Sequence, residues 1–407
     1  MRLCEEGMIE SYLQYSEFQE SPQDFHIWTC ISCIAIALGR SCYVDWGSWK
    51  VYPNLFVILV GESATTHKST AIRMGVKQME KVLGDGIHGT GQKITPEALI
   101  KYMKELATTY GEAATYLCIS ELSVLLSGQK IDDALIKAMS DLWDCDDRFE
   151  AITVSRGQET VDNVCLNMIA GTTPEWLKNS VPLDTLEGGF FSRLILVNRK
   201  PTGVKNARPQ ITLKGAEALE KWKHDIKKVH EMQGGFKLTP KAEKVFDIWY
   251  CEKNDIESAE SFVRGYMGRK STLVIKLAII LSASIREDMI IDEQIMNASI
   301  TTLNDNEPHL EEIIRFMGTT DTGARHAKVW SKIRGGIINY YTINKDGTQQ
   351  DHRSVGIEHS DLLRALSYKY SAPEIKEVVD SLIQSKQIIR LSQDRKTLYR
   401  VIQLDEV

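Results

Sequence analysis

From Val60 to Thr70 the chain reads Val-Gly-Glu-Ser-Ala-Thr-Thr-His-Lys-Ser-Thr. Gly61 and the small or polar residues Ser63, Thr65, Thr66 and His67 lead into Lys68, Ser69 and Thr70. Such a loop can hold a polyphosphate. Successive backbone N–H groups and a helix N-terminus face the anion, and the lysine reaches the β and γ phosphates. The ligand implied is ATP, with Mg²⁺ held at the Ser69 hydroxyl. The spelling departs twice from G-x-x-x-x-G-K-[ST]: His67 stands where glycine precedes the lysine, and one extra residue separates Gly61 from Lys68. A strand, a polar loop and a Lys-Ser helix start also occur together by chance, so the loop gains meaning only with support from elsewhere in the chain.

Three segments closer to the C-terminus supply that support. Ala114 to Leu122 is an apolar run ending in Ser120-Glu121, where Glu121 is suited to orient and deprotonate an attacking water and to contact the metal. Ser120 replaces the aspartate that usually holds the Mg²⁺ shell, so that contact passes through water or falls to another acid. Val164 to Glu175 ends in Gly171-Thr-Thr-Pro-Glu, and Thr172 or Thr173 could sense the γ-phosphate at the strand end where open parallel sheets bind ligands. Asn167, mid-strand, reads equally well as a core amide. In Glu187-Gly-Gly-Phe-Phe-Ser-Arg193 the glycines precede an arginine at a strand start, a pattern for a finger delivered to a neighbouring subunit's ATP. Taken alone, such an arginine is usually a solvated charge.

The elements that must position these residues follow from apolar patterning. Trp28 to Leu38 is apolar almost all round and predicts a buried helix. Leu55 to Val60, closed by Gly61, predicts a fully buried parallel strand, with further strands at 115–119, 164–170 and 193–197 and helices at 69–82, 95–109 and 131–143. Buried strands alternating with helices predict an α/β fold with a parallel sheet covered on both faces. The expected organisation is an N-terminal helical segment (1–50), a P-loop NTPase core (51–200), a helical lid without strand signal (201–317), a polar linker (318–325) and a winged helix (326–407). The winged helix is read from helix, turn, helix and a hairpin of 388–391 with 398–402.

Together these segments resemble the phage- and prophage-encoded replicative helicases of the P-loop ATPase class, with a RecA/AAA+-like core. The matching elements are Tyr52-Pro-Asn-Leu-Phe-Val-Ile-Leu-Val-Gly61 with Lys68-Ser-Thr-Ala, Ser120-Glu121, Asn167 to Glu175, Gly189-Phe-Phe-Ser-Arg193 and Arg269-Lys-Ser-Thr-Leu-Val-Ile-Lys276-Leu-Ala278. The resemblance covers roughly residues 20 to 290 and rests on the order of the elements. It implies an ATP-dependent DNA helicase or translocase acting in replication, a homo-oligomeric ring such as a hexamer, and a lid in which Arg264 or Arg269 contacts the nucleotide. Single-stranded or forked DNA and a primase or other replication proteins are the implied partners.

For DNA contact, residues 144 to 161 read as a β-hairpin with Arg156-Gly157 at its tip, the kind of element that grips a phosphate backbone inside a ring. Arg390, Arg395 and Lys396 on the C-terminal wing are further candidates, although winged helices also bind proteins. With 407 residues, 26% charged and a net charge of −6, the chain has no overall basic field, so any nucleic-acid contact must be local. The eight scattered cysteines read as reduced core thiols; Cys30 and Cys33 lack the second half of a zinc site. The longest apolar runs fall well short of the roughly 20 residues that span a bilayer, and no apolar signal follows Met1, so a soluble cytoplasmic protein is expected. Two other functions fit the same residues. One is an ATPase without unwinding that binds an origin or loads a helicase; the other is a nucleotide-binding DNA regulator without hydrolysis, favoured by His67 and Ser120 and opposed by Lys68, Ser69 and Glu121.

Overall fold

Two runs, the wholly apolar Phe56–Val60 and Val164–Thr172, the latter apolar but for Asn167 and the terminal Thr172, are buried at every position, which requires cover on both faces. A computed structural model describes residues 2–91, 93–125, 133–153, 157–180, 189–252, 261–318 and 321–402. It divides into two compact units, Met1–Met317 and Gly318–Val407.

The first unit contains strands β1 (Cys42–Asp45), β2 (Lys50–Val51), β3 (Phe56–Val60), β4 (Gly89–Thr90), β5 (Ala113–Ile119), β6 (Arg148–Thr153), β7 (Gly157–Asp162), β8 (Val164–Thr172), β9 (Leu194–Asn198), β10 (Gly234–Leu238) and β11 (Ile290–Ile291). Its helices are α1 (Met8–Ser16), α2 (Gln23–Leu38), α3 (Lys68–Leu83), α4 (Pro96–Tyr110), α5 (Leu122–Leu125), α6 (Asp133–Leu142), α7 (Pro174–Ser180), α8 (Leu213–His230), α9 (Pro240–Glu252), α10 (Ser261–Ile285) and α11 (Glu293–Gly318). Five strands form one sheet in the order β4-β5-β8-β3-β9, and every neighbouring pair is parallel. The chain is therefore α/β, as its alternation of strands and helices predicts.

Helices α2 and α3 pack on one another and on β8, while α4 and α6 pack on one another and on β5 and β8. The α2 run is buried along nearly its whole length, which explains why it carries no polar stripe. Among the described residues, no helix is long and apolar enough to cross a membrane.

Two expectations need correction. The 1–50 segment is not purely helical, and 201–317 is not free of strands: β1 and β2 join β10 and β11 in a second sheet of order β11-β10-β1-β2. These strands are two to five residues long and partly exposed, so neither a continuous apolar run nor a clean alternation marks them. Their partners are also distant in sequence, as in Cys42 beside Gly234.

The second unit runs α12 (Asp321–Arg334), β12 (Ile337–Ile343), β13 (Gln349–Glu358), α13 (His359–Leu366), α14 (Ala372–Gln384), β14 (Ile388–Gln393) and β15 (Lys396–Val401). Its core joins Val329 and Ile333 to Leu362, Leu366, Ile375 and Leu382. Ser371 and Glu374 form a capping box that starts α14 at Pro373's turn. The β12–β13 hairpin was not expected, and α12 begins inside the stretch read as a linker. Gln393 accepts a hydrogen bond from Tyr341 N at 3.0 Å and donates from Nε2 to Tyr341 O, so one carboxamide occupies both main-chain groups of Tyr341 on β12.

Candidate nucleotide site

The loop after β3 lies at the C-terminal edge of the parallel sheet, between β8 and β9. Gly61 N donates to Thr172 O at 3.2 Å, and Arg199 N donates to Val60 O at 3.1 Å. His67 sits at φ 51°, ψ 33°, in the left-handed region that a glycine enters without cost. Histidine is among the residues that tolerate this region, and its ring is held by Glu20, Nε2 to Oε2 at 2.9 Å. The unusual spelling of the loop thus keeps the backbone geometry that glycine would supply.

Lys68 opens α3 and is buried against the loop that precedes it. Its ammonium donates to Gly61 O at 2.7 Å, Glu62 O at 3.0 Å and Thr66 Oγ1 at 3.4 Å, and Thr66 Oγ1 donates to Glu62 O at 2.8 Å. Ser63 O accepts from Thr65 N at 2.7 Å, and Thr70 N bonds back to His67 O at 3.0 Å. No side chain caps the N-terminus of α3, and the N–H groups of Lys68 and Ser69, ahead of the bonded Thr70 N, face the loop where an anion would sit.

Two more strands bring their ends to this point. Ser120, just past β5, has its carbonyl 3.5 Å from Ser69 Oγ, a long and weak contact that leaves the hydroxyl free to take a better partner. A Cβ at Gly171 would lie 2.8 Å from that same Ser120 carbonyl and 3.6 Å from Lys68 Cβ, so glycine is what allows β8, β5 and α3 to meet this closely. Thr172, at the end of β8, is fully buried, and its Oγ1 has no hydrogen-bond partner among the described residues. Thr173 instead accepts from Trp176 N at 3.2 Å. Of the two threonines, Thr172 is the one whose hydroxyl is unused.

The electrostatics are those of a half-buried site. Burial raises the Glu121 carboxyl above its ordinary value, with the Lys68 charge opposing the shift. Burial lowers the Lys68 ammonium, with Glu121 and Glu175 opposing. Glu175, in the first turn of α7, joins the site without a role having been expected for it; an acid just after Thr-Thr-Pro at a strand end is the available signal.

Arg193 and Arg269 come together, but away from Lys68. Arg193 ends a 3₁₀ turn at the N-terminal end of β9, whereas the loop lies beyond the C-terminal end of the adjacent β3. Its NH2 donates to Asp144 Oδ2 at 2.9 Å and its NH1 to Gly189 O at 2.6 Å. Arg269 on α10 donates to Asp144 Oδ1 at 3.3 Å. Both guanidiniums lie over the Trp143 ring, at 5.5 and 5.7 Å, and the buried Lys276 ammonium is 4.2 Å from its centroid. Lys276 also donates to Asn54 Oδ1, while Asn54 Nδ2 donates to Trp143 O at 3.0 Å and Leu166 O at 3.1 Å. Asp144 as the hub of this cluster had no sequence signal. The side chain of Arg264 lies outside the described residues.

The proposed nucleic-acid contacts divide. Arg156 lies outside the described residues, although β6 and β7 pair as an antiparallel hairpin on either side of it, up to Thr153 opposite Gly157. On the second unit Arg390 is paired with Asp380 at 3.0 Å and Lys396 with Glu358 at 3.0 Å. Arg395, exposed in the β14–β15 turn at φ 62°, is the member of the trio with no ion pair among the described residues.

No family model matches the chain, and no curated protein matches it.

Proposed function

We propose that this chain is a P-loop ATPase that couples ATP hydrolysis to movement along DNA, as a ring-forming replicative helicase of phage or mobile-element type. The observation that carries the reading is the meeting of Lys68, Ser69, Glu121 and Thr172 at one edge of a parallel sheet, from β3, β5 and β8. In this reading the α3 N-terminus and Lys68 bind the polyphosphate, with Lys68 leaving its loop carbonyls for phosphate oxygens. Glu121, made more basic by burial, takes the proton of the water that attacks the γ-phosphorus as ADP departs. Thr172 donates its unused hydroxyl to the γ-phosphate. Ser69, with Glu121 directly or through water, is the group that would hold Mg²⁺, which when bound neutralises phosphate charge. Arg193, whose end of β9 is remote from the loop of its own chain, serves the ATP of a neighbouring subunit on leaving Asp144 and Gly189.

The helix, turn, helix and hairpin from α13 to β15, which follow the additional β12–β13 hairpin, support reading the second unit as a winged helix. Because Arg390 and Lys396 already carry acidic partners, a second reading is favoured for this unit, as a protein-binding module of an ATPase that recognises an origin or loads another helicase.

Steady-state ATP hydrolysis with and without single-stranded DNA, for the wild type, Lys68→Ala and Glu121→Gln, tests the proposal. Hydrolysis that DNA stimulates and both substitutions abolish supports the motor. Strand separation on a forked substrate then distinguishes helicase from loader, and absence of hydrolysis in every condition overturns the ATPase reading.

A further inference from the structure

The phosphate loop has two flanks, and the roles assigned so far use one of them. On the β8 flank stand Glu121, Thr172 and Glu175. On the β9 flank stands Arg199, whose main-chain bond to Val60 O puts it beside Gly61. Its guanidinium is held by Asp24, in the first turn of α2, through Nε to Oδ2 at 2.8 Å and NH2 to Oδ1 at 3.0 Å, while NH1 donates to Asn198 O at 2.8 Å. The arginine side chain is 14% exposed and the aspartate 41%. Each aspartate oxygen accepts one bond from Arg199, and a carboxylate offers about four lone-pair sites, so Asp24 retains acceptor capacity on its open side. Next to it Glu20 holds His67 of the loop and accepts from Asn206 N, so the chain between α1 and α2 walls this flank.

With the γ-phosphate placed between Lys68 and Glu121 on the β8 side, the β9 flank is the side open to the nucleoside in this reading. We propose that Asp24, fixed by Arg199, accepts hydrogen bonds from the ribose hydroxyls of the bound nucleotide and makes the site selective for ribonucleotides. The inference rests on the ATP reading of the loop. A carboxylate gripped at both oxygens by one guanidinium cannot rotate away, and a vicinal diol presents two donors to it. Removing either hydroxyl deletes one hydrogen bond to a charged acceptor, which costs about tenfold in affinity.

Titration calorimetry with ATP, 2′-deoxy-ATP and 3′-deoxy-ATP on the full chain, wild type and Asp24→Asn, tests this. The expected result is about tenfold weaker binding of both deoxy analogues to the wild type, and an Asp24→Asn protein that binds all three alike at the weaker level. Equal binding of the three by the wild type overturns the proposal while the phosphate reading stands, and needs no variant to fold. A preference for ATP that survives in Asp24→Asn overturns the assignment to Asp24. Failure of the wild type to bind any of the three overturns the reading of the loop itself.

Discussion

Asp144 accepts Arg193 and Arg269 on separate carboxylate oxygens, at 2.9 and 3.3 Å, and so joins the start of β9 to helix α10. Both arginines are thereby oriented before any partner arrives, and Arg193 is 7% exposed. If Arg193 completes a neighbour's site, Arg193→Ala lowers hydrolysis by about 10³-fold or more while ATP affinity changes little. Mixing Arg193→Ala with Lys68→Ala subunits then restores part of the activity, because an intact loop meets an intact arginine across some interfaces. Mixtures as inactive as their components would sink the trans arrangement.

The pH profile of hydrolysis should be narrowed from both sides. Glu121 must be ionised to accept a proton, and burial keeps it protonated to higher pH than an exposed glutamate, so the acid limb lies above the ordinary 4.5. Lys68 loses its charge below the ordinary 10.5. Glu175 supports that charge, so Glu175→Gln should move the alkaline limb of kcat/KM to lower pH without moving the acid limb. An unchanged alkaline limb would show that Glu175 does not act on Lys68.

Gly171→Ala tests how closely β8 and β5 must approach. The added Cβ meets a main-chain carbonyl, that of Ser120, at 2.8 Å, and neither strand has a flexible side chain to give way. The expected cost is about 1–3 kcal/mol in denaturant unfolding. A fall in kcat should accompany it, since Ser120 carries Glu121. Wild-type stability together with wild-type rate would contradict the packing described.

Asn54→Ala should be more damaging than its distance from the loop suggests. Lys276 is 2% exposed, and the substitution removes the amide acceptor of its ammonium. Losing a buried hydrogen bond to a charged group costs about 1.5–3 kcal/mol. The double variant Asn54→Leu with Lys276→Met removes donor and acceptor together and should recover most of the loss in thermal unfolding. A double variant no more stable than Asn54→Ala would contradict this account.

What could be read ahead of the structure was whatever a local pattern carries. The buried strands β3, β5 and β8 follow from runs of apolar residues, the helix after Lys68 from its amphipathic spacing, and the β6–β7 hairpin from two polar-alternating stretches around Arg156-Gly157. Residues joined only through the fold were not legible. Asp144 touches partners 49 and 125 positions away, and Asn54 meets Lys276 across 222. The second sheet escaped for the same reason, because strands as short as Ile290–Ile291 exist only by virtue of their neighbours. Pro53-Asn54-Leu55, just ahead of β3, belongs to the matched pattern, and the bonds of Asn54 to Trp143, Leu166 and Lys276 give the physical reason for that asparagine.

Strand β12, Ile-Ile-Asn-Tyr-Tyr-Thr-Ile, is rich in β-branched and aromatic residues, with Ile337 and Ile343 well exposed. A rim of that composition invites another chain to lay itself alongside and continue the sheet, the first step of aggregation. The carboxamide of Gln393 sits on the N–H and C=O of Tyr341 and behaves as a dummy strand one residue long. An incoming chain would have to evict it before the ladder could extend, so a single glutamine at the end of β14 helps this unit stay apart from its own copies.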